Sequence, residues 1–114
     1  MEDCLFCKIA NGEIPTDMVY EDEVCAAFRD IEPQAPVHVL IVPKMHIASA
    51  LELTEQNAAV VSHIFLVAAK LAKQFGVDGK GFRIVNNCGI DGGQTVGHLH
   101  FHFLGGRSLQ WPPG

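Results

Sequence analysis

The chain has 114 residues, 48% of them hydrophobic, and carries a formal net charge of −5 at pH 7. This length suits one domain with a real core, and we expect residues 1–114 to form that single domain. The composition argues against disorder, and the acidic balance argues against nucleic acid as a partner. No apolar run approaches the roughly 18 residues of a membrane span, and the acidic start is unlike a secretory signal. We therefore expect no membrane partner. We expect a cytoplasmic location, and a nuclear location is also compatible with the sequence.

The first predicted elements are a short helix and three strands. Residues 5–10 suit a helix that Asn11-Gly12 ends. Apolar and β-branched segments predict strands over 19–20, 24–28 and 37–42. A turn at 21–23 separates the first two strands, and a loop containing Pro33 and Pro36 precedes the third.

One long helix is predicted over residues 54–75. Thr54 suits its N-cap, Glu55 its first turn and Gly76 the position just past its end. Its apolar side chains recur at helical spacing, and Val60 and Val67 widen this stripe beyond a simple core face. The stripe consists of Val61, Ile64, Phe65, Ala68, Leu71, Ala72 and Phe75.

A fourth strand at 82–85 and a turn-rich loop at 87–94 lead into a fifth strand that begins at His98. Strands outnumber helices and are mostly near neighbours along the chain, which is typical of an α+β fold with a largely antiparallel sheet. Residues 111–114 form an irregular tail.

The segment His98-Leu99-His100-Phe101-His102 is the most informative part of the sequence. On a strand, alternate side chains face opposite sides, so the three imidazoles would line one face. Positions two apart lie about 6.6 Å from each other and positions four apart about 13 Å, so one metal can hardly bind all three. The residues leave two readings open: a metallohydrolase site using His98 and His100, or nucleophilic catalysis by one histidine beside another.

The loop before the histidines is rich in hydrogen-bond donors. Gly89, Gly92 and Gly93 leave backbone N–H groups uncovered, and Gln94 and Thr95 add side-chain donors. Such a loop could cradle a phosphate or an oxyanion. The same glycines could equally form only a hairpin turn.

Cys4 and Cys7 are a second set of candidate ligands. Two thiolates at this spacing often supply half of a tetrahedral zinc site, although no second pair follows here. His46 and His98 could supply two nitrogen ligands. Because nothing indicates secretion, we expect all four cysteines of the chain to be reduced thiols.

Residues 92–106 closely resemble the signature of the histidine triad (HIT) nucleotide-binding family, His-x-His-x-His followed by apolar residues. Residues 30–38 and 41–46 resemble the family's central segment. Gly105-Gly106-Arg107 and Trp111-Pro112-Pro113-Gly114 resemble the C-terminus of its Hint branch. The resemblance covers essentially the whole chain. It implies a five-stranded antiparallel sheet with one long and one short helix, and a homodimer in which two sheets join into ten strands.

The resemblance also implies a nucleoside phosphoramidase that cleaves AMP- or GMP-linked amines through a covalent nucleotidyl-histidine. His100 would be the nucleophile, His102 would contact the α-phosphate, and His38 would support them by hydrogen bonding. Thr95 replaces a more usual serine and keeps a hydroxyl that could help protonate the leaving amine. The alternatives are a dinucleoside polyphosphate hydrolase, and a nucleotide-binding signalling or scaffold protein whose turnover is incidental.

A purine nucleotide pocket follows from the same resemblance. Asp30 matches the residue that binds the ribose hydroxyls, and Trp111 lies in a tail that reaches toward the partner's active site. The apolar walls around the purine match Phe6, Ile9, Phe28, Ile31 and Leu40. The phosphate side matches Asn87, Gly93, Gln94 and Thr95, together with His100 and His102. Without the resemblance, ordinary core packing is the better explanation for Ile9 and Leu40.

A structural zinc is the last implication of the resemblance, because some family members with this N-terminal cysteine pair bind the metal. Its ligands would be Cys4, Cys7, His46 and His98. Four protein ligands leave no open coordination position, so the metal would not activate water. It would fix the first histidine of the motif and tie down the N-terminal helix.

Overall fold

The structure, a computed structural model, describes residues 4–114. Met1, Glu2 and Asp3, the acidic start that argued against a signal, lie outside these residues. The helices are α1 (Leu5–Ala10) and α2 (Ala59–Gln74), with a 3-10 turn at Ala50–Glu52. The strands are β1 (Met18–Glu21), β2 (Cys25–Arg29), β3 (Val37–Pro43), β4 (Phe82–Val85) and β5 (Phe101–Gly105). The predicted α+β class is confirmed.

The five strands form one antiparallel sheet in the order β1-β2-β3-β5-β4. The last strand in the chain therefore inserts between β3 and β4. In its register with β3, His102 lies opposite Leu40 and Phe103 lies opposite Val39. Because strand side chains alternate between faces, this register places His102 and Phe103 on opposite faces of the sheet.

One face of the sheet carries the main core beneath α2. Ile41 and Phe103 are fully buried, as are Ile64 and Leu71 of the helix, and all four belong to one cluster. These helix positions recur at the spacing that the sequence predicted. Truncating a fully buried leucine such as Leu71 to alanine costs roughly 2–5 kcal/mol, so this layer supplies much of the stability.

The other face carries a smaller core beneath α1. Phe6 and Ile9 of the helix pack with Phe28, Leu40 and Val42 of the sheet. Packing these apolar side chains fixes α1 against the strands that carry the histidines. Cys4 is the N-cap of this helix and Cys7 lies within it. Packing of α1 against the sheet therefore also fixes the positions of both cysteines.

Helix α2 starts five residues later than predicted, and Thr54 is not its N-cap. The Thr54 hydroxyl accepts from the N–H of Gln56, and the Asn57 side chain accepts from the N–H of Thr54. These bonds close a separate turn, and the continuous α-helix begins only at Ala59. The expected helix end is confirmed, because Gly76 has a φ of +69°, which suits glycine at that position.

The prediction that one strand carries all three motif histidines was wrong, because β5 begins only at Phe101. The N–H of Leu99 donates to the carbonyl of Ile47, and the Asn86 side chain donates to the carbonyl of His100. These bonds replace the sheet ladder before Phe101. Alternation still persists, because Leu99 packs in the main core while His100 faces the other side against Phe6.

Among residues 4–114, no helix combines the length and the apolar character that crossing a bilayer requires.

Candidate functional site

His38 and His102 form a hydrogen-bonded pair on the α1 face of the sheet. The backbone N–H of Gln34 donates to Nδ1 of His38 at 3.0 Å, so that nitrogen carries no proton. The proton of a neutral His38 is therefore on Nε2, which lies 2.9 Å from Nδ1 of His102 and 3.4 Å from a carboxylate oxygen of Asp30. The hydrogen-bond partners thus assign the tautomer of His38.

The same reasoning extends to His102. Its Nδ1 accepts the proton of His38, so its own proton lies on Nε2 and is available for donation. Burial lowers the pKa of both His38 and His102 below the usual histidine value, against a weaker opposing effect of the Asp30 carboxylate. Burial thus favours the neutral form of both rings, because a buried imidazole loses the hydration that stabilises its charge.

His100 carries its proton on Nδ1, whereas His38 and His102 carry theirs on Nε2. Its Nδ1 lies 2.7 Å from the carbonyl oxygen of His98, and because a carbonyl only accepts, this nitrogen must be protonated. In the neutral ring, Nε2 therefore carries a lone pair. The ring centroids of His100 and His102 are 5.2 Å apart. The site thus presents a nucleophilic nitrogen beside an N–H donor.

An apolar wall adjoins the histidines. The ring of Phe6 stands edge-on to His100, with centroids 5.0 Å apart, and edge-on to Phe28 at 5.6 Å. Ile9 and Leu40 belong to the same buried cluster as these phenylalanines. The structure therefore brings four of the five predicted purine-wall residues together beside the histidines.

Ile31 and Trp111 lie apart from this cluster. Ile31 follows Asp30 in the loop after β2 and is 92% exposed, and Trp111 is 81% exposed in the C-terminal tail. Their predicted contacts, one with the purine and one toward a partner, stay predictions.

The loop at 87–95 is held by its own hydrogen bonds. The Asn87 side chain donates to the carbonyl of Gly92, and the Gln94 side chain donates to the carbonyls of Ala48 and Val96. The backbone N–H groups of Gly93 and Gln94 also bond within the loop. A phosphate contact from Gln94 would therefore replace an existing bond, whereas Thr95 is exposed at the end of the loop.

Four candidate metal ligands converge around the ring of His98. Sγ of Cys4 lies 3.2 Å and Sγ of Cys7 3.4 Å from Nδ1 of His98, and Sγ of Cys7 lies 3.3 Å from Nδ1 of His46. All four ligand atoms lie within 4.8 Å of one another. In a tetrahedral zinc site, bonds of about 2.3 Å to sulfur and 2.1 Å to nitrogen separate such atoms by about 3.6 Å. The spacing thus fits zinc.

The proton arrangement of His98 also suits a metal. Its Nε2 donates to the carbonyl of Pro43 at 2.9 Å, so Nδ1 keeps a lone pair toward the two thiols. Burial, followed by the neighbouring Cys4, raises the pKa of the Cys7 thiol to about 11. A metal would displace that proton, because thiolates are the ligating form.

The other two thiols do not join this group. Cys25 is fully buried in the main core, and burial followed by the nearby Asp22 raises its pKa to about 12. Cys88 is half-buried in the loop at 87–95. All four cysteines are free thiols.

Several groups at the site escaped the sequence-based predictions. The N–H of Gln34 fixes the ring of His38, and the carbonyls of Pro43 and His98 fix the rings of His98 and His100, respectively. The Asn86 side chain holds the backbone at His100. Backbone groups leave no signature in a sequence, because every residue carries them. Asn86 offers only a weak signal, as a polar residue at the end of an apolar strand.

Comparison with known proteins agrees with this geometry. A family model described as the HIT domain matches residues 11–109. An uncharacterized HIT-like protein from Synechococcus elongatus is 55% identical over 113 residues, which cover 99% of this chain and 98% of that protein.

Solved structures extend the comparison to three dimensions. A HIT family hydrolase from Legionella pneumophila is 50% identical, with a TM-score of 0.96 over 98% of this chain and all of that one. A histidine triad nucleotide-binding protein from Candida albicans is 34% identical, with a TM-score of 0.81 over 96% of this chain and 83% of that one. Because the family model and these relatives match nearly the whole chain, the protein belongs to the HIT family.

Proposed function

We propose that this protein is a nucleotide hydrolase of the Hint branch that cleaves purine nucleoside phosphoramidates, in which AMP or GMP is linked to an amine. The observation that carries the proposal is the paired arrangement of His100 and His102, one with a lone pair on Nε2 and the other with a proton there. Splitting one displacement at phosphorus into two steps requires such a nucleophile beside a donor. The description of the Legionella relative as a hydrolase and of the Candida relative as nucleotide-binding supports the same reading.

In the first step, Nε2 of His100 attacks the α-phosphorus and the P–N bond to the amine breaks. The leaving nitrogen takes up a proton, for which the exposed Thr95 hydroxyl is the proposed relay. The N–H of His102 donates to a phosphoryl oxygen, where negative charge develops. Such preorganised donors usually supply a large share of catalysis. By donating to Nδ1 of His102, His38 keeps the proton of His102 on Nε2.

In the second step, water attacks the phosphorus and the bond to Nε2 of His100 breaks. The oxygen of water stays on the nucleotide as a phosphate oxygen, and a proton from that water passes to the site or to solvent. His100 regains its lone pair, because its other nitrogen remains protonated against the His98 carbonyl. The net reaction consumes one water and releases a nucleoside monophosphate and an amine.

The nucleoside would bind against the apolar wall of Phe6, Ile9, Phe28 and Leu40, next to His100. Asp30 would bind the ribose hydroxyls, because its carboxylate lies at the edge of the histidine pair and is partly exposed. Ile31 would cover the purine from the adjoining loop. Asn87, Gly93, Gln94 and Thr95 would contact the phosphate from the other side.

We further propose that Cys4, Cys7, His46 and His98 hold a structural zinc. When bound, the metal supplies a rigid cross-link and no activated water, because its four positions are filled by protein. Holding His98 also holds the carbonyl that fixes the proton of His100. The zinc site would thereby keep the proposed nucleophile in its reactive orientation.

A homodimer is the proposed assembly. On the outward side of α2, Leu66 is 65% exposed and Phe65 is close to half exposed. Within residues 4–114, the edge strand β4 is paired on one side only. An exposed strand edge and an apolar helix face are surfaces that proteins usually cover. Pairing two β4 strands would join the sheets into ten strands. We propose no nucleic-acid or membrane partner, and a cytoplasmic or nuclear location.

A kinetic comparison of two histidine variants tests the proposed function. His100→Ala should lower kcat/KM on an adenosine phosphoramidate by at least about 10³-fold, because the variant lacks the attacking nitrogen. His63→Asn is the matched control, since His63 lies on α2 and pairs with Asp22, away from the site. Substantial residual activity of His100→Ala would contradict the proposal. Faster turnover of diadenosine polyphosphates than of phosphoramidates would favour the alternative hydrolase.

A further inference from the structure

Two backbone hydrogen bonds of Gln34 connect Arg107 to the pair formed by His38 and His102. Its Nε–H donates to the carbonyl oxygen of Gln34 at 2.9 Å. The backbone N–H of the same Gln34 donates to Nδ1 of His38, whose Nε2 lies 2.9 Å from Nδ1 of His102. A side chain near the C-terminus therefore holds the residue that sets the proton positions of both rings.

Other hydrogen bonds of this loop run within it or close its base: the N–H of Glu32 donates to the Asp30 carboxylate, the Gln34 side chain donates to the carbonyl of Glu32, and the N–H of Asp30 donates to the carbonyl of His38. Pro33 and Pro36 on either side of Gln34 have no N–H to donate. The two backbone groups of Gln34 are used by Arg107 and His38 themselves. The chain before Arg107 also lies against the loop, because a Cβ added at Gly106 would come within 2.9 Å of Cβ of Pro36. Gly106 and Arg107, which directly follow β5, therefore contact the loop on the same side and hold it in place.

We propose that Arg107 is a positioning residue for the histidine pair. By holding Gln34 in place, it keeps the Gln34 N–H on Nδ1 of His38. That contact excludes the tautomer with the proton on Nδ1, in which His38 could no longer donate to His102. Arg107 acts through position, since the carbonyl it binds and the N–H that meets His38 belong to different peptide groups. It touches neither ring, so it takes no chemical part in the reaction.

Nitrogen NMR of the imidazoles tests this proposal directly. In protein labelled with ¹⁵N-histidine, proton-correlated spectra distinguish a protonated ring nitrogen from one that carries a lone pair. The wild-type protein, Arg107→Ala and Arg107→Gln are compared, the last as a milder variant should alanine disturb folding. Arg107 also donates to the carbonyl of Ser108 in the C-terminal tail. Arg83→Ala is therefore the matched control, because Arg83 donates to the tail carbonyls of Leu109 and Gln110 and makes no hydrogen bond to Gln34 within residues 4–114.

The wild type and Arg83→Ala should both show His38 and His102 with Nδ1 unprotonated and Nε2 protonated. Both Arg107 variants should show a mixture of tautomers at His38 and a weakened Nε2–H signal at His102. Unchanged tautomers in the Arg107 variants would overturn the proposal. An equal change in Arg83→Ala would overturn it too, because the effect would then come from the tail as a whole.

The catalytic consequence of this inference rests on the proposed function. Arg107→Ala should lower kcat on an adenosine phosphoramidate about tenfold with less than a twofold change in KM, because small misplacements of catalytic groups can cost up to about 10²-fold. A loss of kcat without a change of tautomer would count against the inference. If the protein does not hydrolyse phosphoramidates, the proposed function fails, but the imidazole spectra still decide the role of Arg107.

Discussion

Nδ1 of His100 lies 2.7 Å from the carbonyl oxygen of His98, and the side chain of that same His98 faces the thiols of Cys4 and Cys7. One residue therefore belongs to both the candidate metal site and the candidate catalytic site. The ring of His98 belongs to the candidate metal site, and its backbone carbonyl belongs to the candidate catalytic site. Substitutions at Cys4 or Cys7 should consequently alter the orientation of His100, the proposed nucleophile, through His98.

The metal site gives the first prediction. Protein purified without chelators should contain about one zinc per chain. Cys7→Ser should lose the zinc and lower Tm by roughly 10 °C or more, because binding of a structural metal contributes directly to folding. Cys88→Ser is the control, since Cys88 lies outside the ligand cluster. The measurements are elemental analysis and thermal unfolding. Less than about a tenth of an equivalent of zinc in the wild type would rule out this site.

The pH dependence of stability gives the second prediction, at Asp22. Burial alone would raise the pKa of this carboxyl, but hydrogen bonds from His63, Tyr20 and the N–H groups of Val24 and Cys25 outweigh it and hold the pKa below its usual range. The stabilisation is fully present above the ordinary carboxyl pKa of about 3.9. It is lost as the pH falls from there toward the lower folded-state value.

Asp22→Asn should therefore lower the free energy of unfolding by roughly 2 kcal/mol at pH 7, and by less at pH 3. Urea unfolding at both pH values measures the difference. Asp17→Asn is the control, because Asp17 pairs with Arg29 on the exposed surface, where an ion pair contributes little. An equal loss at both pH values for Asp22→Asn would show that its charge is not responsible.

The loop before the histidines gives the third prediction. A Cβ added at Gly92 would clash with the backbone oxygen of Cys88, so the loop cannot keep its shape with any other residue there. Gly92→Ala should cost about 1–3 kcal/mol of stability and reduce activity on the phosphoramidate. Gly79→Ala is the control, because a Cβ at Gly79 has open space. Wild-type stability and kinetics for Gly92→Ala would refute the close approach.

The proposed dimer gives the fourth prediction. Light scattering should show twice the 12.4 kDa chain mass for the wild type and a single chain mass for Leu66→Glu, because a charge buried on the α2 face opposes association. Leu51→Glu should stay dimeric, since Leu51 is equally apolar and 83% exposed but lies in the 3-10 turn at Ala50–Glu52. A monomeric wild type would remove the proposed interface altogether.

Local patterns predicted much of the fold. The short helix at Leu5–Ala10 and the strand at Phe82–Val85 appear with the expected bounds, because an apolar run and clear end signals define each of them. Residues 54–58 instead form a turn, since side-chain hydrogen bonds within the segment competed with helix. A good N-cap residue alone does not show which of these two structures will form.

At the site, residue types were predictable but proton positions were not. The alternation of His98, His100 and His102 indicated a reactive face, and the four candidate ligands Cys4, Cys7, His46 and His98 do converge. Each ring's tautomer, however, depends on a backbone group such as the N–H of Gln34, brought close only by folding. That information is tertiary and has no local signature.

The central claim is that Nε2 of His100 attacks phosphorus, and trapping the intermediate tests it most directly. Protein mixed briefly with an adenosine phosphoramidate, quenched and digested should yield a peptide containing His100 with one added adenylyl group, mapped to that ring by fragmentation in mass spectrometry. His100→Ala should yield no adenylylated peptide. Adenylyl transfer to another residue, or rapid turnover by wild type with no adduct under single-turnover conditions, would contradict the account.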